Sequence, residues 1–243
     1  MTTSALGALS VPADSIPRHV VLVLSGGLDS TVLAYRLRAD GAQLTALSFD
    51  YGQRHRRELE YASRTAHRLG AEHHVIDLAS ITGLLTGSAL TDRDVTVPDG
   101  HYTDLSMRAT VVPNRNALML DIAVAVAVAR GAGAVAFGAH SGDHPIYPDC
   151  RPAFVSAYRR MAQLANAGFA VDGFTVLAPF IGLAKSDIVT IGEQVNVPFG
   201  DSWSCYKGGD VHCGTCGTCV ERREAFALAR VADPTAYLTR EVG

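Results

Sequence analysis

The chain has 243 residues, of which 48% are hydrophobic and 19% charged, and its formal net charge is −3. That length and balance suit one α/β domain with a full core and a small appendage, and they exclude a disordered or fibrous chain. The acidic balance argues against a broad nucleic-acid footprint, which needs clustered Lys and Arg, so no stable nucleic-acid partner is expected.

Residues 1–19, rich in Ser, Thr, Ala and Pro, read as a flexible leader, followed by an α/β domain over 20–200 and a metal-binding knuckle with a C-terminal helix over 201–243. Met1 to Arg18 has no positive n-region, and the most apolar run, Ala117 to Ala129, is short and broken by Asp121. No targeting or membrane segment is therefore expected, and the expected compartment is the reducing cytoplasm. The fold starts with the apolar strand Val20 to Leu24. There follow Leu24, Ser25, Gly26, Gly27, Leu28, Asp29, Ser30 and Thr31, and then the helical pattern Val32, Leu33, Tyr35, Leu37. Strand, Ser-Gly-Gly turn and helix start describe a phosphate cradle, because adjacent glycines let the backbone approach an anion and first-turn amides face it. The loop lacks the lysine of a Walker A motif. Its Ser-Gly-Gly-x-Asp-Ser pattern instead resembles the pyrophosphate loop of the ATP pyrophosphatases, which implies ATP bound by its phosphates and cleaved between α and β.

Gly41 ends the first helix, and Leu44 to Phe49 forms a second strand, parallel to the first through a right-handed crossover. Ligands of open α/β sheets sit at the carboxyl ends of strands, so Tyr51, Gln53, Arg54 and His55 are placed beside the loop as nucleotide or substrate contacts. Arg56, Arg57 and Glu58 read as a solvated helix start. Glu58 to Leu69 is an amphipathic helix and His73 to Leu78 a third strand. Residues 79 to 106 lose periodicity and read as a lid, a substrate loop or a disordered insert, with Asp92, Asp94 and Asp99 as solvated turn residues.

Pattern returns at Val111 to Asn116. Asn114 or Asn116 can cap the helix from Ala117 to Arg130, whereas Arg115 at that N-terminus opposes the helix dipole unless an anion is present. The strand Ala134 to Phe137 then leads into a run dense in functional groups. We read it as a binding loop in which Asp143 and Asp149 accept ring N–H or amine donors, Tyr147 stacks and Arg151 holds an anion. His140 and His144 lack a helix to align them on a metal. Cys150 reads as a small buried residue, since no base is placed beside it. Helix Ala153 to Ala167 and strand Thr175 to Leu177 follow. Lys185, at another helix start, is the candidate for stabilising charge on a leaving pyrophosphate. Finally, Cys205, Cys213, Cys216 and Cys219, with glycines between them, have the spacing of a closed tetrahedral zinc site, structural rather than catalytic. His212 as a substitute ligand and an iron–sulfur cluster are the other metal readings.

Taken with Val112-Pro113-Asn114-Arg115-Asn116, Tyr147-Pro148-Asp149-Cys150-Arg151, Leu183-Ala184-Lys185-Ser186-Asp187 and Ser204-Cys205-Tyr206, the chain resembles the 7-cyano-7-deazaguanine synthase (QueC) family of the ATP pyrophosphatase superfamily from Val20 to about Phe226. One departure is Asn114, where many members have Gly. The resemblance implies a doubly wound, mainly parallel sheet and a homodimer, for which the apolar helix Ala225 to Val231 is a reasonable contact. It also implies a reaction: 7-carboxy-7-deazaguanine, ammonia and ATP give 7-cyano-7-deazaguanine through an adenylate and an amide, with AMP and pyrophosphate released. In that reading Ser25, Gly26, Gly27, Asp29 and Ser30 hold pyrophosphate, Asp29 holds magnesium, Lys185 neutralises charge, Asp143 or Asp149 meets the base, and Arg115 or Arg151 orients its carboxylate, with Asn116 beside it. The alternatives are a related enzyme acting on another carboxylate, one inserting sulfur into tRNA, and a nucleotide sensor without catalysis.

Overall fold

Val20, Val21 and Leu22 are fully buried at the middle of a five-stranded sheet, because the sheet is covered on both faces. The computed structural model of the protein describes residues 16–101 and 105–239, so of the leader expected over residues 1–19 the first fifteen lie outside the described residues, and His19 already belongs to the first strand. Strands β1 (His19–Val23), β2 (Gln43–Asp50), β3 (Glu72–Asp77), β4 (Ala134–Ala136) and β5 (Thr175–Leu177) are all parallel, in the order β3-β2-β1-β4-β5. Val21 stands opposite Thr45 on one side and Val135 on the other. Strand residues alternate between faces. Val21 accordingly packs with Leu47, Leu120 and Val135 under one layer, and Val20 and Leu22 pack with Leu33, Phe180, Ile188 and Phe226 under the other. A strand buried on both faces needs a continuous apolar run, and Val20 to Leu24 supplies it.

The covering helices are α1 (Leu28–Ala39), α2 (Arg57–Arg68), the single turn α3 (Ala79–Thr82), α4 (Arg115–Ala129), α5 (Pro152–Ala165), α6 (Lys185–Gln194) and α7 (Gly217–Ala229). This is the expected doubly wound arrangement. No described helix is long and apolar enough to cross a membrane. Strand order reverses between β1 and β4, and such a reversal opens a crevice at the strands' carboxyl ends.

Three local expectations change. Asn114 precedes α4 in the left-handed region, with φ 58°, which is the conformation Gly or Asn adopts at least cost. Neither Asn114 nor Asn116 caps α4 with its side chain; Asp149 does, accepting from the Asn116 N–H at 3.0 Å. Helix α7 is longer than Ala225 to Val231 and begins within the cysteine cluster, while Ala225 and Phe226 are already buried in this chain's own core, Phe226 edge-on to Phe199 at 4.9 Å. Those two residues therefore offer no surface to a second copy.

The described part of residues 79–106 is tied down. Arg54 donates to the carbonyls of Ala89, Asp92 and Val95 at 3.0, 3.0 and 2.6 Å. Ala89 and Val97 pack with Trp203, Cys205, Cys216 and Cys219, and Asp99 pairs with Lys207 at 2.5 Å. The segment thus clasps the cysteine knuckle onto the domain.

Candidate active site

The loop after β1 is stapled by its own hydroxyls. Ser25 Oγ and Ser30 Oγ lie 2.9 Å apart, and Ser25 Oγ accepts the Gly27 N–H at 3.2 Å. Gly26 has φ +82°, and a Cβ there would fall 2.0 Å from the Glu58 carbonyl oxygen, so only glycine lets the loop lie against α2. The Gly26 carbonyl accepts the Trp203 N–H at 2.9 Å, which brings the C-terminal segment onto the loop.

Asp29, in the first turn of α1, faces a cluster of charges. Lys185 Nζ lies 3.3 Å from Asp29 Oδ2 and 2.5 Å from Glu221 Oε2. Burial would lower the Lys185 ammonium, yet the carboxylates of Asp29, Glu221 and Asp143 outweigh it and hold its pKa above the ordinary range. Burial raises the Glu221 carboxyl, with Lys185 pulling the other way. His140 is fully buried, and its Nδ1 accepts the Gly142 N–H at 3.1 Å, so a neutral ring carries its proton on Nε2. That Nε2 stands 3.5 Å from Asp143 Oδ1 and 3.8 Å from Asp29 Oδ2. Both His140 Nε2 and Asp29 Oδ1 are buried without a hydrogen-bond partner among the described residues.

The other end of the cleft is aromatic. Arg115 is the first residue of α4, as Lys185 is of α6, so both cations oppose a helix dipole. The Arg115 guanidinium donates to Tyr51 Oη at 3.2 Å and has no carboxylate within ion-pair distance among the described residues. Burial opposes its charge, but Tyr51, Tyr206, Tyr147 and Asp149 keep its pKa high. Burial pushes Tyr51 up to about 12, against Arg115, so its hydroxyl remains a donor. Tyr147 Oη meets Thr110 Oγ1 at 2.6 Å and Tyr206 Oη at 3.4 Å. Glu58 accepts from Gln53 Nε2 at 3.2 Å, and burial pushes its carboxyl up to about 7 despite Arg115 and that bond.

A single cleft of about 220 Å³ joins the two ends. Leu24, Ser25, Gly27, Leu28, Asp29, Ser30, Tyr51, Gln53, Arg54, His55, Arg115, Asn116, Asp143, Tyr147 and Lys185, all singled out in the sequence, line it. Thr31 is buried behind the loop, Asp149 caps α4, and Arg151 is exposed, donating to the His144 carbonyl at 2.9 Å. Glu58, Trp203, Ser204 and Tyr206 also line the cleft, and Glu221 reaches it from α7. Cys150 is there too, taking a hydrogen bond from Asn116 Nδ2 at 3.1 Å. Burial, then Asp143 and Asp149, raise its thiol, which disfavours a thiolate nucleophile.

Beside the cleft, the Sγ atoms of Cys205, Cys213, Cys216 and Cys219 lie within 4.8 Å of one another, and Cys213 and Cys219 are 3.9 Å apart. A tetrahedral zinc with Zn–S bonds of about 2.3 Å needs sulfurs about 3.8 Å apart, so the cluster fits one zinc ion and is too tight for several irons. Backbone N–H groups of Thr215 and Cys216 point at Cys213 Sγ, at 3.4 and 3.3 Å. His212 does not take the place of a thiolate. Its Nε2 accepts the Ser204 N–H at 3.0 Å, its ring stacks on Trp203 at 4.1 Å, and burial lowers its pKa to about 4.

The family model described as "Queuosine biosynthesis protein QueC" matches residues 19–230. The chain is 57% identical over 217 residues to a 7-cyano-7-deazaguanine synthase of Rhizobium johnstonii, covering 89% of this chain and 91% of that one. It is likewise 57% identical over 221 residues to the enzyme of the same name from Ruegeria pomeroyi, covering 91% and 95%. Among solved structures, an NMN synthetase from Francisella tularensis superposes with TM-score 0.51 at 15% identity, covering 92% of this chain and 84% of that one, which is a likeness of fold.

Proposed function

The chain belongs to the QueC family of queuosine biosynthesis proteins, and we propose that its cleft converts 7-carboxy-7-deazaguanine, ammonia and ATP into 7-cyano-7-deazaguanine. The observation that carries this reading is one cleft with a stapled phosphate loop and Lys185 at one end, and at the other a guanidinium among tyrosines with no carboxylate partner among the described residues. The first end suits pyrophosphate and the second an aromatic carboxylate.

A carboxylate is a poor electrophile, so activation comes first. The substrate carboxylate, oriented by Arg115, attacks the α-phosphorus of ATP; a C–O–P linkage forms and pyrophosphate leaves, its growing charge met by Lys185 and the loop N–H groups. Ammonia adds to the acyl carbon, a proton departs, and AMP leaves to give the amide. A second ATP activates the amide oxygen in the same way, and loss of AMP with the remaining N–H protons gives the nitrile. Asp29 Oδ1, buried without a hydrogen-bond partner among the described residues, would hold magnesium, a hard cation that would supply Lewis-acid stabilisation of phosphate charge. Tyr147 is the ring against which the base lies. With Asp149 capping α4, Glu58 and Asp143 are the carboxylates left in the cleft to accept from its amine and ring N–H.

Zinc in the four-cysteine site is structural in this reading, since four thiolates close the coordination shell. The protein works as a homodimer in the cytoplasm, where its five cysteines, all free in the structure, stay reduced. Cys150, held as a thiol, speaks against sulfur insertion into tRNA. The test is mass spectrometry after mixing the protein with 7-carboxy-7-deazaguanine, ATP, magnesium and ammonium. Amide and then nitrile are expected, together with AMP; absence of both products overturns the reading.

A further inference from the structure

Helix α7 starts inside the metal site and reaches the active site within two turns. Cys216 is its N-cap residue and Cys219 lies in its first turn, with the Cys219 and Val220 N–H groups bonded to the Cys216 carbonyl at 2.9 and 3.0 Å. Glu221, two residues beyond Cys219, holds Lys185 Nζ at 2.5 Å, closer than Asp29 does at 3.3 Å. Arg222, fully buried, binds Ser202 Oγ at 2.8 Å and Ser204 Oγ at 3.3 Å, on the segment that leads into Cys205. The first turn of a helix lacks intrahelical partners for its N–H groups and frays unless something else holds it. Here Cys216 and Cys219 at that start are two of the four metal-ligand candidates, so an ion bound there would hold it together with the Arg222 contacts.

We propose that Glu221 is a positioning residue through which occupancy of the four-cysteine site is read at Lys185. The physical argument concerns aim. A lysine side chain has large rotamer freedom, about 2 kcal/mol in entropy, and must be directed at the leaving pyrophosphate. Asp29 is the wrong anchor, since it faces the phosphate site itself and is taken up when the site fills. Glu221 comes from a different element, a helix whose start carries two of the four cysteines. With the ion gone, the Cys216 to Cys219 turn loosens, Glu221 is displaced, and Lys185 loses the contact that orients it. The inference rests on the reading of Lys185 given above.

The chain contains only two lysines, Lys185 and Lys207, which makes the test direct. Lys207 lies on the knuckle, its Nζ on Asp99 at 2.5 Å and Thr215 Oγ1 at 3.2 Å. Acylation by an amine-reactive reagent, resolved by peptide mass spectrometry, thus reports separately on knuckle and active site. In zinc-loaded Glu221→Gln protein, Lys185 is expected to acylate about tenfold faster with Lys207 and zinc content unchanged, and turnover to fall about tenfold or more while ATP affinity stays within about twofold. Glu221→Asp recovers part of both losses. In wild-type protein stripped by a chelator, both lysines react faster, and zinc restores both. Unchanged Lys185 protection in Glu221→Gln, or in stripped protein whose Lys207 has opened, overturns the proposal. If Glu221→Gln fails to retain zinc, Glu221→Asp and the stripped wild type decide. Failure of the zinc-loaded wild type to form AMP would refute the catalytic reading alone, because the lysine protection pattern is measured without turnover.

Discussion

The two ends of the cleft treat charge differently. At the phosphate end Lys185 lies between Asp29 and Glu221, with Asp143 nearby, so its charge is compensated before any ligand arrives. At the aromatic end Arg115 is half-buried among tyrosines and, among the described residues, donates to the Tyr51 hydroxyl and pairs with no carboxylate. A buried ion pair stabilises little in itself but is costly to break, whereas a buried cation without a carboxylate costs stability until an anion meets it. The phosphate end is therefore built to stay in place and the aromatic end to receive a carboxylate.

The largest expected effect comes from breaking the compensated end. Lys185→Ala leaves two half-buried carboxylates near each other and removes the cation opposite pyrophosphate. AMP formation should fall about 10³-fold, and the unliganded protein should lose about 3 kcal/mol in urea unfolding. Arg115→Met should behave in the opposite way on stability. KM for the carboxylated base should rise about 10²-fold, while at about pH 5, where Glu58 is protonated, the unliganded protein keeps its stability or gains about 1 kcal/mol, since no ion pair is lost. Equal destabilisation by the two substitutions would erase the distinction between the ends.

What was legible in the sequence was what is local. The loop from Leu24 to Thr31, Lys185 and Arg115 at helix starts, and the cysteine spacing each carry their chemistry within a few residues, and all recur in the structure at one crevice or beside it. Arg54 shows the limit. Its motif suggested a nucleotide or substrate contact and it does line the cleft, yet its guanidinium also donates to backbone carbonyls of a segment about forty residues away, a partner no local pattern announces. Glu221 and Arg222 match no motif, and only the packing of α7 on α6 turns one toward Lys185 and buries the other. Glu58 read as a solvated helix start. The clue lay in Gly26, since a loop that must touch α2 backbone at Glu58 draws that turn of helix to the cleft.

Glu58 gives the smallest effect and the finest test of the aromatic end. Its carboxyl titrates at about 7 in the folded protein, raised from 4.5 by burial and held back by Arg115 and Gln53. Folded protein thus binds more protons than unfolded protein between those values, so its stability falls as pH rises through that window and stays lower above it. Glu58→Gln resembles the protonated form and should abolish that fall. In urea unfolding, the variant should match wild type at about pH 4 and exceed it by about 1–2 kcal/mol at about pH 8, less than the full shift implies because the carboxyl is only half-buried and lines the cleft. Coupling to Arg115 then follows from the sign of its influence. Arg115 favours the carboxylate, so Arg115→Met should move the end of the stability decline to higher pH in protein retaining Glu58, and should move nothing in Glu58→Gln. If the decline keeps its position in Arg115→Met, the two side chains titrate independently, and Arg115's charge is satisfied without Glu58, leaving the substrate carboxylate as its only acidic partner in the cleft.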